Sequence, residues 1–150
     1  TEEAFEEKIR KNELIEYARY VNHYYGTPRD YVEQKMAEGK DVILEIEIQG
    51  ALKVKEQYPD AILLFVMPPN ALTLKNRLTG RGTETEEVID ARLKRAADEA
   101  EGIEAYDYIL INDDLDACVE QMHCLIQGQH CRVSQNLELI QQMRSQLKEL

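Results

Sequence analysis

Two carboxylates spaced two residues apart are the first residues in this sequence with the makings of a chemical site. In Leu44-Glu45-Ile46-Glu47-Ile48-Gln49-Gly50, strand spacing puts Glu45, Glu47 and Gln49 on one face and Leu44, Ile46 and Ile48 on the other. The run sits at the carboxyl end of an expected parallel strand, where open α/β sheets hold their ligands. Like charges this close repel, so the pair calls for a cation, a metal or a hydrogen-bond-donating base. A solvated strand edge is the plainer alternative. It ranks lower, because polar residues near the middle of a sheet are unfavourable without partners.

Arg77, Arg81, Arg92 and Arg95 flank a break at Gly80-Arg81-Gly82. Arg77 and Arg81 can share a helix face, and a helical hairpin would bring Arg92 and Arg95 to them. Guanidinium forks converging on one point suit the oxygens of a transferring phosphoryl group. Spacing alone favours a charged hairpin that pairs with Glu84, Glu86, Glu87 and Asp90. Tyr24-Tyr25-Gly26-Thr27 joins a phenol, a glycine that lets backbone approach closely and an N-cap hydroxyl, an arrangement suited to an anion. An ordinary turn into a capped helix accounts for it locally. His123, Cys124, His130 and Cys131, with Cys118 before them, form pairs seven apart on one helical side. Structural zinc sites mostly use turn-spaced cysteine pairs, so small buried thiols are the preferred reading. Neither a G-x-x-x-x-G-K-[ST] loop nor a G-x-S-x-G elbow occurs in these residues.

The elements that must position these groups alternate between helix and strand. Residues 2–12 read as an amphipathic helix with Phe5 and Ile9 on one face, and Leu14 to Val21 as strand or irregular sheet punctuated by Asn22 to Gly26. Thr27 as N-cap, Pro28 at N1 and Gly39 at the end mark a helix. Asp41 to Ile48 reads as a strand, and Gly50 opens a helix to about Tyr58. The uniformly apolar Ala61 to Met67 is expected to be a strand buried on both faces. A helix to about Thr79 follows, then one capped by Thr83 with Glu86, whose apolar face is Val88, Ile89, Leu93, Ala96, Ala97 and Ala100. Tyr106 to Asn112 is a strand, and Leu115, Cys118, Val119, Met122, Leu125 and Ile126 mark another helix. Such alternation means a parallel sheet covered by helices. Leu137, Ile140, Met143, Leu147 and Leu150 then form a seam of about two heptads. It suits a partner helix, hence a homo-oligomer, or packing on its own domain.

Of 150 residues, 43% are hydrophobic and 31% charged, which suits a folded core and argues against global disorder. Eighteen Lys and Arg face 29 Asp and Glu, a net charge of -11. That balance disfavours nucleic acid and anionic membrane as partners, while leaving room for a local arginine cluster. No apolar run nears the ~20 residues that span a bilayer, and the first residues carry no signal-peptide pattern. Three bunched cysteines make no disulfide framework, so a reducing, cytoplasmic location is expected. The first residue is Thr rather than Met, and the opening reads like the middle of an acidic helix.

Taken in order, Glu13-Leu-Ile-Glu-Tyr-Ala18, Tyr24-Tyr25-Gly26-Thr27-Pro28, Leu44 to Gly50, Leu78-Thr-Gly-Arg-Gly-Thr-Glu-Thr85 and Ile111-Asn-Asp-Asp114 resemble guanylate kinases. The likeness extends to about residue 130, and the last stretch resembles tails of some bacterial members. The resemblance implies an α/β fold of P-loop NTPase type. Three layers, α/β/α, would surround a parallel sheet that is incomplete at the N-terminus. Residues 1–30 would be the rest of a GMP-binding subdomain, 31–71 and 103–132 the core, 72–102 a lid and 133–150 a helical extension.

It further implies transfer of the γ-phosphoryl group of ATP, with Mg2+ as cofactor, to GMP, giving ADP and GDP. By matching position, Glu16 would accept hydrogen bonds from guanine and Glu47 would help read its edge. Tyr25, Gly26 and Thr27 would line the GMP phosphate and base, and Glu45 would face the metal through water. Arg77, Arg81 and Arg92 would be the catalytic arginines closing over the ATP phosphates, and Asn112 would touch adenine. Catalysis in the family is positioning plus charge stabilisation of an in-line transfer. Its Walker A loop and paired phosphate-gripping arginines lie ahead of what is here Thr1, so these 150 residues are expected to be an inactive fragment of an active kinase. The runner-up is a guanylate kinase-like module of a scaffold protein, which binds peptides without phosphorylating GMP. Such modules typically lose lid and nucleotide residues, whereas Arg77, Arg81, Thr83, Arg92 and Asn112 are all present. A purely structural fragment would bind neither.

Overall fold

The computed structural model describes residues 1–20, 23–80, 82 and 85–150. Helix α1 (Glu2–Arg10) is capped by the Thr1 hydroxyl, which accepts from the Ala4 amide at 3.3 Å. Its acidic first turn and basic last turn suit the helix dipole. Two antiparallel strands follow, β1 (Leu14–Tyr20) and β2 (His23–Pro28), with Glu16 opposite Thr27 and Ala18 opposite Tyr25. The expected punctuation at 22–26 is therefore corrected: from His23 onward the chain is strand. Gly26 lies within the strand and does mark a close approach, of the protein's own backbone and a ring. A Cβ at this position would stand 2.9 Å from the Glu16 carbonyl oxygen and 2.9 Å from Phe5 Cζ. Phe5 also stacks on Tyr24, with ring centroids 4.9 Å apart, so α1 packs on the hairpin.

Helix α2 (Arg29–Ala37) begins one residue later than expected, with Pro28 rather than Thr27 at the N-cap. The Thr27 hydroxyl is engaged elsewhere, so it caps nothing. Gly39 does close the helix, at φ +75°. Its amide bonds the Met36 carbonyl at 2.9 Å and that of Lys40 bonds Lys35 at 3.1 Å, the two bonds of a Schellman cap.

Residues 41–47 are extended and alternate between exposed and half-buried, but among the described residues they pair with no strand. Alternation reports the two faces of an extended chain, whereas a ladder also needs a neighbour's backbone. Val42, Leu44 and Ile46 pack inward on Ile15, Val32 and Val54. Helix α3 (Ile48–Gln57) then starts two residues ahead of Gly50 and buries Ala51 and Val54.

Strands β3 (Leu64–Met67) and β4 (Tyr108–Ile111) form a second two-stranded sheet. The Tyr108 amide bonds the Leu63 carbonyl at 3.1 Å and the Asn112 amide bonds that of Met67 at 2.8 Å. Both partners advance together, so the pair is parallel. Burial on both faces is corrected: Val66, Ile109 and Ile111 are exposed while Leu63 and Leu110 are buried.

Helix α4 (Ala71–Thr79) is capped by Asn70, which accepts from the Thr73 amide at 2.8 Å. In α5 (Glu86–Ala100) the covered face is narrower than expected. Ile89 is buried and Leu93 and Ala96 half-buried, while Val88, Ala97 and Ala100 are exposed. The expected Thr83 cap lies outside the described residues. Helix α6 (Leu115–His130) is capped by Asp114 and buries Cys118, though Leu115 and Val119 are exposed. Helix α7 (Leu137–Glu149) leaves Leu137, Met143 and Leu147 open and Ile140 half-buried. Most of the seam is thus exposed in these residues. Among the described residues no helix is long and apolar enough to cross a membrane.

Contacts divide the chain into two units, residues 1–64 with 91–108 and residues 65–90 with 109–150. The first holds the hairpin, α2, α3 and the Ile15-Val32-Val54 core. The second holds α4, α6 and α7.

Candidate functional site

Among the described residues of the first unit, Glu16 is the buried carboxylate, with only 8% of its surface exposed. Strand β1 carries it between Ile15, a core residue, and Tyr17. The hairpin register sets Thr27 across from it, and the Thr27 hydroxyl donates to Glu16 Oε1 at 2.7 Å. The other oxygen faces the first turn of α3: a Cβ at Gly50 would stand 3.3 Å from Glu16 Oε2. Glycine there lets the helix start approach the carboxylate, and a helix N-terminus favours negative charge. An ionised carboxylate accepts about four hydrogen bonds, so Glu16 keeps capacity for a ligand rich in N–H donors. Tyr25, two residues from Thr27 on the same strand face, is more than half exposed. The hairpin thus brings Glu16, Tyr25, Gly26 and Thr27 together.

Glu47 occupies the N-cap position of α3 without capping it. Its carboxylate forms an ion pair with Arg95 of α5, whose Nε also donates to Glu99 Oε1 at 3.1 Å. The Glu99 hydrogen bond, and after it the charge and hydrogen bond of Glu47, hold the Arg95 guanidinium above its ordinary pKa. A cleft of about 260 Å³ lies against Glu47, Ile48, Gln49, Arg95, Asp98 and Glu99. Glu45 is exposed on the same side of the extended segment as Glu47, as the alternation predicts.

In the second unit the Arg77 guanidinium donates to the carbonyls of Asn112, at 2.5 Å, and Asp113, at 3.2 Å. Arg77 and Asn112 are therefore neighbours. Arg81 lies outside the described residues, and Arg92 is exposed on the part of α5 that belongs to the first unit. The charged hairpin favoured by spacing is corrected for Arg77 and Arg95, whose partners are carbonyls in one case and Glu47 and Glu99 in the other. The buried-thiol reading holds for Cys118 alone; Cys124 and Cys131 are exposed. Among the described residues, no three His, Cys, Asp or Glu side chains converge to hold a metal ion.

Sequence reasoning missed two of these contacts. The Thr27-Glu16 bond depends on a hairpin register that the glycine signal concealed. The Glu47-Arg95 pair joins residues 48 positions apart, and no local pattern encodes it.

Fold and site together define the class: an α/β protein with a buried hairpin carboxylate facing a helix start. The guanylate kinase family model matches residues 1–129, and the chain belongs to that family. It is 50% identical over 130 residues to the guanylate kinase of Bacillus cereus, covering 87% of this chain and 63% of that protein. It is 45% identical over 141 residues to that of Halalkalibacterium halodurans, covering 94% and 69%. The crystal structure of guanylate kinase from Anaplasma phagocytophilum superposes with a TM-score of 0.70 at 30% identity, over 87% of this chain and 63% of that one. The chain thus spans about two thirds or less of the length of most of these relatives.

Proposed function

We propose that the protein to which these residues belong is an ATP:GMP phosphotransferase of the cytoplasm, with GMP bound in the first unit. The buried Glu16 carboxylate, oriented by Thr27 and open to further donors, is the observation that carries this reading. Guanine presents N1–H and a 2-amino group along one edge, and Glu16 with Glu47 would accept from them. Tyr25, Gly26 and Thr27 would line the base and phosphate. Arg77, Arg81 and Arg92 would offset charge on the transferring phosphoryl group, and Asn112 would meet adenine.

Mg2+, bound with ATP, would supply charge neutralisation at the phosphates. Glu45, an exposed hard oxygen donor, suits that ion through water, since Mg2+ commonly takes one or two carboxylates besides phosphates. The three-layer P-loop fold belongs to this reading. So does the division into GMP-binding (1–30), core (31–71, 103–132), lid (72–102) and extension (133–150). These 150 residues hold no G-x-x-x-x-G-K-[ST] loop, so alone they would lack the backbone cradle for the phosphates.

The test is a coupled assay of ADP release by the full-length protein with GMP, IMP and AMP. GMP-dependent release well above the other two supports the reading. Phosphopeptide binding without GMP turnover would replace it with the scaffold-type module. The 150-residue polypeptide assayed in parallel is expected to stay at background.

A further inference from the structure

Arg95 belongs to the arginine series but has no part in the phosphoryl chemistry proposed above. Its partners give it a different task. Glu47 has the extended backbone of an N-cap residue, φ -74° and ψ 162°, yet makes no capping bond. A carboxylate there ordinarily accepts an amide of the helix's first turn. Instead Glu47 Oε2 is engaged by Arg95 Nη2, while Arg95 Nε is tied to Glu99 one turn along α5. Two anchors on one planar fork fix its direction, and through it the direction of the Glu47 carboxylate. The next residue reinforces the junction. Gly102 lies so near Ile48 that a Cβ there would collide with Ile48 Cδ1. The segment that carries Arg95 therefore seats on the start of α3 by an ion pair and an apolar contact side by side.

We propose that Arg95 is a positioning residue for Glu47, and that the Glu99-Arg95-Glu47 chain sets preference for a purine nucleotide bearing a 2-amino group. The inference rests on GMP as the substrate. With Oε2 held by Arg95, Glu47 keeps Oε1 for a donor on the base. Guanine supplies a 2-amino group and hypoxanthine lacks it. A fixed acceptor rewards the first and is left unpaired by the second.

The experiment compares full-length wild type with Arg95→Met, Arg95→Lys and Glu99→Gln, using GMP and IMP at saturating ATP. For Arg95→Met, KM for GMP is expected to rise about fivefold, the scale of a half-exposed ion pair. The kcat should stay within about twofold, since the lost contact does not touch the reacting atoms. The ratio of kcat/KM for GMP to that for IMP should fall by about the same factor as KM rises. Arg95→Lys should recover part of the preference, because a point charge reaches Glu47 without bridging to Glu99. Glu99→Gln should shift it less, in the same direction. Thermal melts confirm that each variant is folded. A folded Arg95→Met with unchanged or lowered KM for GMP overturns the proposal, as do equal losses on GMP and IMP. A wild type that does not turn over GMP sinks the substrate reading and this inference with it, whereas an active wild type with an indifferent Arg95→Met sinks the inference alone.

Discussion

The core around the hairpin of the first unit and the apolar seam of α7 in the second are both apolar, with opposite outcomes. Ile15, beside the site carboxylate, is 3% exposed, and Val32 and Val54 join it in one cluster. Along α7, Leu137 and Leu147 are each 61% exposed. Periodicity says which side of an element is apolar; burial depends on what long-range neighbours cover that side. The contrast matters for function because the covered region is where a carboxylate can be held in one orientation. A site needs walls.

The sharpest way to break the comparison is to empty the core on one side of it. Ile15→Ala should destabilise the full-length protein by about 3 kcal/mol, through lost apolar burial plus the cavity left behind. Denaturant titration reads this directly. A change under about 1 kcal/mol, the scale of a surface substitution, would remove the hairpin from the core. Next in size is Glu16→Gln. The amide keeps the volume but places a donor where guanine would also donate, so kcat/KM for GMP should fall on the order of 100-fold. Equal activity of variant and wild type would deny Glu16 its role.

Thr27→Val is smaller and tests the support rather than the acceptor. It keeps the branched shape on β2 and deletes the hydroxyl that donates to Glu16 at 2.7 Å. About 1 kcal/mol of stability should go with a net hydrogen bond to a charged group partly compensated by solvent. The GMP KM should rise with it. Loss of stability without any change in KM would make this bond purely structural.

How far the sequence alone leads can be judged from the same residues. The helices were legible mainly from periodicity, and Gly39 closes α2 where its chemistry places it. Glu45 and Glu47 do share the side opposite Leu44 and Ile46. Strand β2 was not legible, because Gly26 carries the same local signal whether it ends an element or admits a neighbouring backbone. Thr27 failed as a cap for the same reason, since its partner lies 11 residues away across a register no local rule supplies. The ladder expected for 41–47 failed differently. An alternating pattern fixes faces, but a strand also needs another strand beside it. At Gly26 and Thr27 a local preference yielded to a long-range contact; at 41–47 the long-range partner is what is missing among the described residues.

The smallest expected effect lies at the other pole of the comparison. Leu147→Ser in α7 removes an apolar side chain that is already mostly in water, so it should change stability by less than about 0.5 kcal/mol. That near-silence has content, because the same substitution in the core would be severe. A loss of 2 kcal/mol or more would mean that Leu147 is covered in the full-length protein. Repeating the titration at several protein concentrations then identifies what covers it. A second copy of the chain makes the unfolding midpoint depend on concentration, through mass action. Cover from elsewhere in the same polypeptide leaves the midpoint fixed. A helix with an open apolar seam thus becomes a reporter of its own surroundings, which the already buried Ile15 cannot be.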